Sequence, residues 1–166
     1  WAGGAVVDDT NNPVIFYTAG DDRRSPGQRI NIARSNYAAD GDNDLNKWNK
    51  NASVILNQGA GEGMPGEFRD PFVFKDASTG TWFMLVTSGI AGQGGTALVY
   101  STTDASFQSW TYRGPLFTGD ATAFPLTGKV WELPNLRPLG TSGKYIFMIN
   151  PAQMANPEFQ SRYTWY

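Results

Sequence analysis

The chain has 166 residues, a formal net charge of -2 at pH 7, and neither cysteine nor histidine. No Ser-His-Asp or Cys-His site and no His/Cys zinc centre can be built from it, so acid–base work falls to carboxylates, Lys or Tyr. No basic stripe points to nucleic acid, and no apolar run approaches the roughly 20 residues of a membrane-spanning helix.

Glycine (19), proline (10) and 14% aromatic residues favour an all-β fold, many turns joined to many strand-forming side chains. In chain order the predicted strands are Ala5–Asp8, Pro13–Ala19, Arg29–Ser35 and a short piece around Trp48. Pro71–Lys75, Thr81–Ser88, Thr96–Ser101 and Ser109–Gly114 follow, then Asn135–Leu139 and Lys144–Asn150. Asp8–Pro13, Asp76–Gly80 and Thr141–Gly143 are polar hairpin loops. No segment sustains a capped 3.6-residue period, so little helix is expected.

These strands fall into repeats. Val14-Ile15-Phe16-Tyr17-Thr18 matches Trp82-Phe83-Met84-Leu85-Val86-Thr87 and Tyr145-Ile146-Phe147-Met148-Ile149. A third strand ends in Ala33-Arg34-Ser35 or Val99-Tyr100-Ser101, and Trp48 or Trp110 follows, giving a period of 62 to 69 residues. Four strands per repeat make a β-propeller blade; a β-sandwich with coincidental hairpins is the alternative. The chain then holds about two and a half blades, roughly 1–60, 61–120 and 121–166, in a single partial domain. A propeller typically needs at least four, and an open arc exposes strand edges. Tyr163–Tyr166 read as a strand cut short, so the remainder of a larger polypeptide is expected.

Two acidic motifs sit where repeats begin: Glu67-Phe68-Arg69-Asp70-Pro71 before the first strand of the second blade, and Trp131-Glu132-Leu133-Pro134-Asn135 at the start of the third. Asp70 and Glu132 lie 62 residues apart, which puts them at equivalent places on adjacent blades near one end of the channel. Paired carboxylates in one pocket suit glycoside hydrolysis, one protonated and another ionised. Arg69 would keep Asp70 charged or bind sugar hydroxyls. Singly, Asp70-Pro71 reads as a turn and Glu132 as a solvated loop acid.

Phe-Arg-Asp-Pro followed by Trp-Glu-x-Pro resembles glycoside hydrolase family 32, which includes invertases, inulinases, levanases and fructosyltransferases. Trp1-Ala2-Gly3-Gly4-Ala5-Val6-Val7-Asp8 resembles that family's aromatic-Ser-Gly-Ser-Ala-Val segment, and Tyr17-Thr18, Gln28, Ala33-Arg34-Ser35 and Trp48 follow in its order. The resemblance implies part of a five-bladed propeller that releases fructose or fructo-oligosaccharides from sucrose, inulin or levan by a retaining mechanism. It implies no metal and no cofactor, and an extracellular location. Asp70 becomes the transition-state stabiliser, Glu132 the general acid/base, and Arg69, Trp1 and Trp131 substrate-binding residues. The family's Trp-Met-Asn-Asp-Pro-Asn-Gly nucleophile motif is absent from this sequence, which places it on an upstream blade or makes the protein a non-catalytic fructan-binding propeller. A related five-bladed arabinan or xylan glycosidase fits the two motifs less well. Leu133 replaces the usual Cys, and Ala2 and Gly4 replace serines.

Other features have plainer readings. Trp82, Trp110 and Trp165 are expected to pack blades. Gly89–Gly95 reads as a flexible hairpin loop, lacking the Lys-Ser/Thr of a phosphate loop. Asp40-Gly41-Asp42-Asn43-Asp44 lacks the Glu of a calcium loop. Asn51-Ala52-Ser53 is a glycosylation sequon.

Overall fold

A computed structural model describes residues 1–154 of the chain; Trp165 and Tyr163–Tyr166 lie outside the described residues. The first sheet runs in order β1 (Gly3–Val7), β2 (Pro13–Thr18), β3 (Ile30–Arg34) and β4 (Asn49–Lys50). The second runs β5 (Arg69–Lys75), β6 (Trp82–Ile90), β7 (Gly94–Thr102) and β8 (Thr111–Thr118), and the third pairs β9 (Val130–Pro138) with β10 (Tyr145–Ala152). All neighbours are antiparallel. Two four-stranded meanders and half of a third, their first strands β1, β5 and β9 side by side, are part of a β-propeller. Among the described residues helix is confined to α1 (Tyr37–Asp40) and a 3-10 turn at Pro125–Thr127, and none is long and apolar enough to cross a membrane.

Burial explains which strands form where. β2 alternates half-buried and buried residues, the period of a strand with one packed face. β6 and β7 are buried almost throughout, because they are covered on both faces by the neighbouring sheets. The outermost β8 is largely exposed, and its ladder with β7 is broken by two register shifts and by Gly114 at φ 106°, devices that blunt a sheet edge.

The main core lies between the first two sheets. Val14, Phe16, Ile30 and Ile32 meet Phe68, Trp82, Met84, Val86, Leu98, Tyr100 and Phe107. Phe107 is fully buried in the loop after β7. Its ring stands edge-on to Phe16 (5.2 Å) and Trp82 (5.1 Å) and stacks on Trp110 (6.0 Å). Phe107→Ala should therefore cost about 3–5 kcal/mol, the range for truncating a buried aromatic. Denaturant unfolding of the protein carrying this chain measures it; a loss under about 1 kcal/mol would show that the blades do not depend on this ring.

The loops before β4 and β8 repeat one another. Trp48 and Trp110 each donate their indole N–H to the carbonyl three residues back, Leu45 and Phe107, and both acceptors have positive φ, 55° and 59°. Each loop is organised by an aspartate six residues before the tryptophan: Asp42 accepts from Lys47 N–H and Asp104 from Ser106 and Gln108 N–H. Asp42 is thus a turn organiser. Asp104, held down to about 2 chiefly by the Ser106 hydroxyl and N–H, is the same device with more donors. The Asn51 amide ties the blades together, donating to Ser53 O and Gln108 Oε1.

The glycine-rich segment corrects the sequence reading. β6 continues through Ile90 and β7 starts at Gly94, so most of Gly89–Gly95 is paired strand rather than a flexible loop. The glycines serve close approach: a Cβ on Gly89 would lie 2.2 Å from the carbonyl oxygen of Lys129, and one on Gly95 2.1 Å from the Trp131 ring. They let the third sheet lie directly on the second.

Candidate active site

Asp70 and Glu132 lie inside their strands rather than before them, although Glu67 and Phe68 precede β5, and each strand carries a bulge there. In the β5–β6 ladder the register runs from Arg69↔Thr87 to Phe72↔Leu85, three residues against two. In β9–β10 it runs from Glu132↔Asn150 to Asn135↔Met148, again three against two. Within each bulge one non-glycine residue has positive φ, Asp70 at 56° and Leu133 at 49°. The structurally equivalent positions are therefore Arg69 with Glu132 and Asp70 with Leu133. The expected equivalence of Asp70 and Glu132 is off by one residue, because the bulge residue that presents a carboxylate in one blade presents a backbone N–H in the next.

Equivalent positions touch across the blades. Arg69 turns its Nε and one terminal nitrogen to Oε1 of Glu132, both at 3.1 Å. Leu133 N–H donates to Oδ2 of Asp70 at 3.1 Å. Asp70 N–H in turn donates to the Thr18 hydroxyl (2.8 Å), which donates to the Ala2 carbonyl (3.0 Å), so the first blade fixes the bulge of the second. Thr87, at the matching place in β6, donates to the Arg69 carbonyl (2.9 Å).

Trp1, Ala2, Gln28, Glu67, Arg69, Asp70, Glu132 and Leu133 line one concavity of about 500 Å³. Asp70 and Arg69 are buried at its floor, and Trp1 is 60% exposed at its rim. Burial raises the proton affinity of Asp70, the charge of Glu132 adds to this, and the Leu133 N–H and the Arg69 guanidinium oppose it. Burial works against the charged Arg69, but the hydrogen bond and charge of Glu67, with the charges of Glu132 and Asp70, outweigh it and leave its proton more tightly held than usual. A second concavity of about 570 Å³ is lined mainly by β1, β5 and β9, and Asp70 and Leu133 line both.

Four of the five residues singled out in the sequence, Trp1, Arg69, Asp70 and Glu132, thus share one pocket. Trp131 does not. It is 3% exposed, lies over Gly95 and Gly119, stacks on Phe117 at 5.9 Å and donates to the Thr127 carbonyl. Side chains alternate along a strand, so Trp131 points into the sheet–sheet interface when its neighbour Glu132 faces the pocket. Trp82 and Trp110 pack the blades as expected.

Sequence reading assigned nothing to Glu67 and Gln28. Glu67 hydrogen-bonds Arg69 Nη1 and accepts from Gln153 Nε2 at 2.7 Å. Gln28 Oε1 accepts from Phe68 N–H (2.8 Å) and Arg69 Nη1 (3.2 Å). The available signal was spacing: Glu67 and Arg69 stand two apart, so an extended backbone puts both on one face. A buried guanidinium thus sits among three carboxylates, Glu67, Asp70 and Glu132. The set holds a fixed cation, an acid with raised proton affinity and a second, part-exposed carboxylate, suited to hydroxyl-rich ligands and proton transfer.

The whole chain, residues 1–166, matches the family model described as the glycosyl hydrolases family 32 N-terminal domain. An insoluble-isoenzyme beta-fructofuranosidase of Arabidopsis thaliana is 31% identical over 86% of the chain, which covers 23% of that protein. An insoluble isoenzyme of Oryza sativa subsp. japonica is 28% identical over 81% of the chain and 21% of the protein. The chain therefore spans about a fifth of the length of these relatives. A fructan 1-exohydrolase IIa variant of Cichorium intybus in complex with 1-kestose superposes with TM-score 0.68 at 21% identity, over 97% of this chain and 33% of that one. An Aspergillus kawachii beta-fructofuranosidase complexed with glycerol gives 0.74 at 17% identity, over 93% and 30%.

Proposed function

The chain belongs to glycosyl hydrolase family 32, and from that premise we propose that it forms part of the catalytic propeller of an extracellular retaining fructosidase acting on sucrose or on a fructan. The observation that carries the proposal is the placement of Asp70 and Glu132, from neighbouring blades, around Arg69 in one concavity. The relatives named as beta-fructofuranosidases, two of them insoluble isoenzymes, and the relative bound to 1-kestose support the substrate class and the location.

In this reading Glu132, part exposed beside Arg69, gives its proton to the departing glycosidic oxygen and then, as carboxylate, takes one from the incoming water. Asp70 faces the furanose hydroxyls and the positive charge that develops on the ring. Its Oδ2 is fixed by Leu133 N–H, and among the described residues Oδ1 accepts no hydrogen bond, leaving it for sugar. The exposed Trp1 ring at the rim offers an apolar face to the fructosyl unit. The ionised nucleophile comes from the remainder of a polypeptide several times longer, as the length of the relatives suggests. No metal and no cofactor enter these steps.

The test is fructose release from sucrose, 1-kestose and inulin by the polypeptide that carries this chain, with the anomer released followed by NMR. Release of β-fructofuranose first is expected. Binding without release would make the protein a fructan-binding propeller, and first release of the α anomer would exclude the retaining mechanism.

A further inference from the structure

A general acid that sits against an arginine has a problem. The guanidinium favours the carboxylate over the carboxyl, and an acid whose proton is lost too early cannot protonate a leaving group. Glu132 is in that position, with two nitrogens of Arg69 at 3.1 Å from one oxygen. Something must offset Arg69, and Glu67 is placed to do it.

We propose that Glu67 is a positioning residue that keeps Glu132 protonatable by sharing the Arg69 guanidinium; the inference rests on the acid/base reading of Glu132 given above. Glu67 binds the nitrogen of Arg69 that Glu132 does not use. The same nitrogen is steered by Gln28 Oε1, and the other oxygen of Glu67 is held by Gln153 Nε2 at 2.7 Å. The loop carrying Glu67 is itself fixed: Gln58 donates to the carbonyls of Glu62 (2.7 Å) and Met64 (2.9 Å) and accepts from Gly66 N–H (2.9 Å). Both oxygens of Glu67 are thus engaged, one by Arg69 and one by Gln153, on a loop that is itself fixed, which a mere solvated acid would not be.

The other charges around Glu132 do not replace it. Asp70, from β5, is fixed on Leu133 N–H. The amino group of Trp1 acts on Asp70. β6, β7 and β10, the remaining strands against β9, carry no Asp, Glu, Lys or Arg. The Tyr100 hydroxyl of β7 is committed to Glu62 at 2.6 Å, and Tyr145 of β10 pairs with Pro138 at the far end of the strand. Removing the charge of Glu67 therefore acts in one direction: a like charge leaves the pocket, and Arg69 turns wholly to Glu132.

The experiment is Glu67→Gln in the polypeptide that carries this chain, read in two ways. In the pH profile of kcat/KM, the limb on which activity falls with rising pH should move down by about one unit, a rate loss of about tenfold on that side. In an infrared titration, the protonated Glu132 carboxyl, assigned by its loss in Glu132→Gln, should disappear at correspondingly lower pH. Glu67→Asp should recover part of both shifts. A purely structural role for Glu67 would lower the rate equally at all pH and leave the titration in place. An unmoved or upward-moved Glu132 titration overturns the inference. If the parent protein releases no fructose, the functional reading fails by itself, and the infrared titration still decides whether Glu67 sets the proton affinity of Glu132.

Discussion

Glu132→Gln should lower fructose release by about 10²–10⁴-fold, the usual contribution of a positioned general acid/base. The fold should survive, because Gln keeps an oxygen for Arg69 and the bulge at Leu133 is held by its N–H on the Asp70 carboxylate rather than by the Glu132 side chain. Thermal unfolding should therefore shift little. The informative control is the leaving group. With sucrose or inulin the departing oxygen is a poor leaving group and needs the proton; with a fructoside whose leaving group is already a stable anion it does not. Glu132→Gln should thus lose far less activity on the activated substrate than on sucrose. An equal loss on both would mean that Glu132 only shapes the pocket, and full activity on sucrose would remove it from the chemistry.

That Asp70, Arg69 and Glu132 would meet was legible in the sequence because the repeat was legible. Polar hairpin loops, the tryptophans at 48 and 110 and the alternating strands placed most strands within a few residues of those observed, although β9 starts at Val130 rather than at the expected Asn135. What was not legible was register. A β-bulge is a local count of three residues against two, and a propensity reading has no access to it. The sequence distance of 62 between Asp70 and Glu132 therefore passed for equivalence when the ladders pair Arg69 with Glu132. The same blindness put Trp131 in the pocket. Once Glu132 faces the site, strand alternation sends its neighbour the other way, and Gly95 and Gly119 clear the space it occupies. Gly95 falls in the segment that reads as a flexible loop, because composition cannot tell a glycine needed for a turn from one needed for close packing. Thr18 is another such case: its part is the hydroxyl link between Ala2 O and Asp70 N–H, a contact between blades that no local window contains.

Asp70→Asn should separate function from stability. Activity should fall by about 10²–10³-fold, as when one preorganised group facing transition-state charge is neutralised. Stability at neutral pH should rise. The carboxyl is buried, and burial leads the causes that lift its pKa above the ordinary 3.8, with Leu133 N–H and Arg69 only partly offsetting it. A carboxyl whose pKa is higher in the folded than in the unfolded state contributes its full stability below pH 3.8 and loses it as pH rises through the folded value. At pH 7 the wild type holds an unfavourable buried charge there. Asn is uncharged at every pH, has nearly the same shape and still offers an oxygen to Leu133 N–H. The melting temperature of the variant should exceed that of the wild type at pH 7, and the difference should close as pH falls towards 4. A variant less stable than wild type at pH 7 would mean that the Asp70–Arg69 attraction outweighs burial, and that the carboxylate is held for the fold. The expected opposite result, a more stable and nearly inactive protein, is the signature of a charge retained for its chemistry against the preference of the fold.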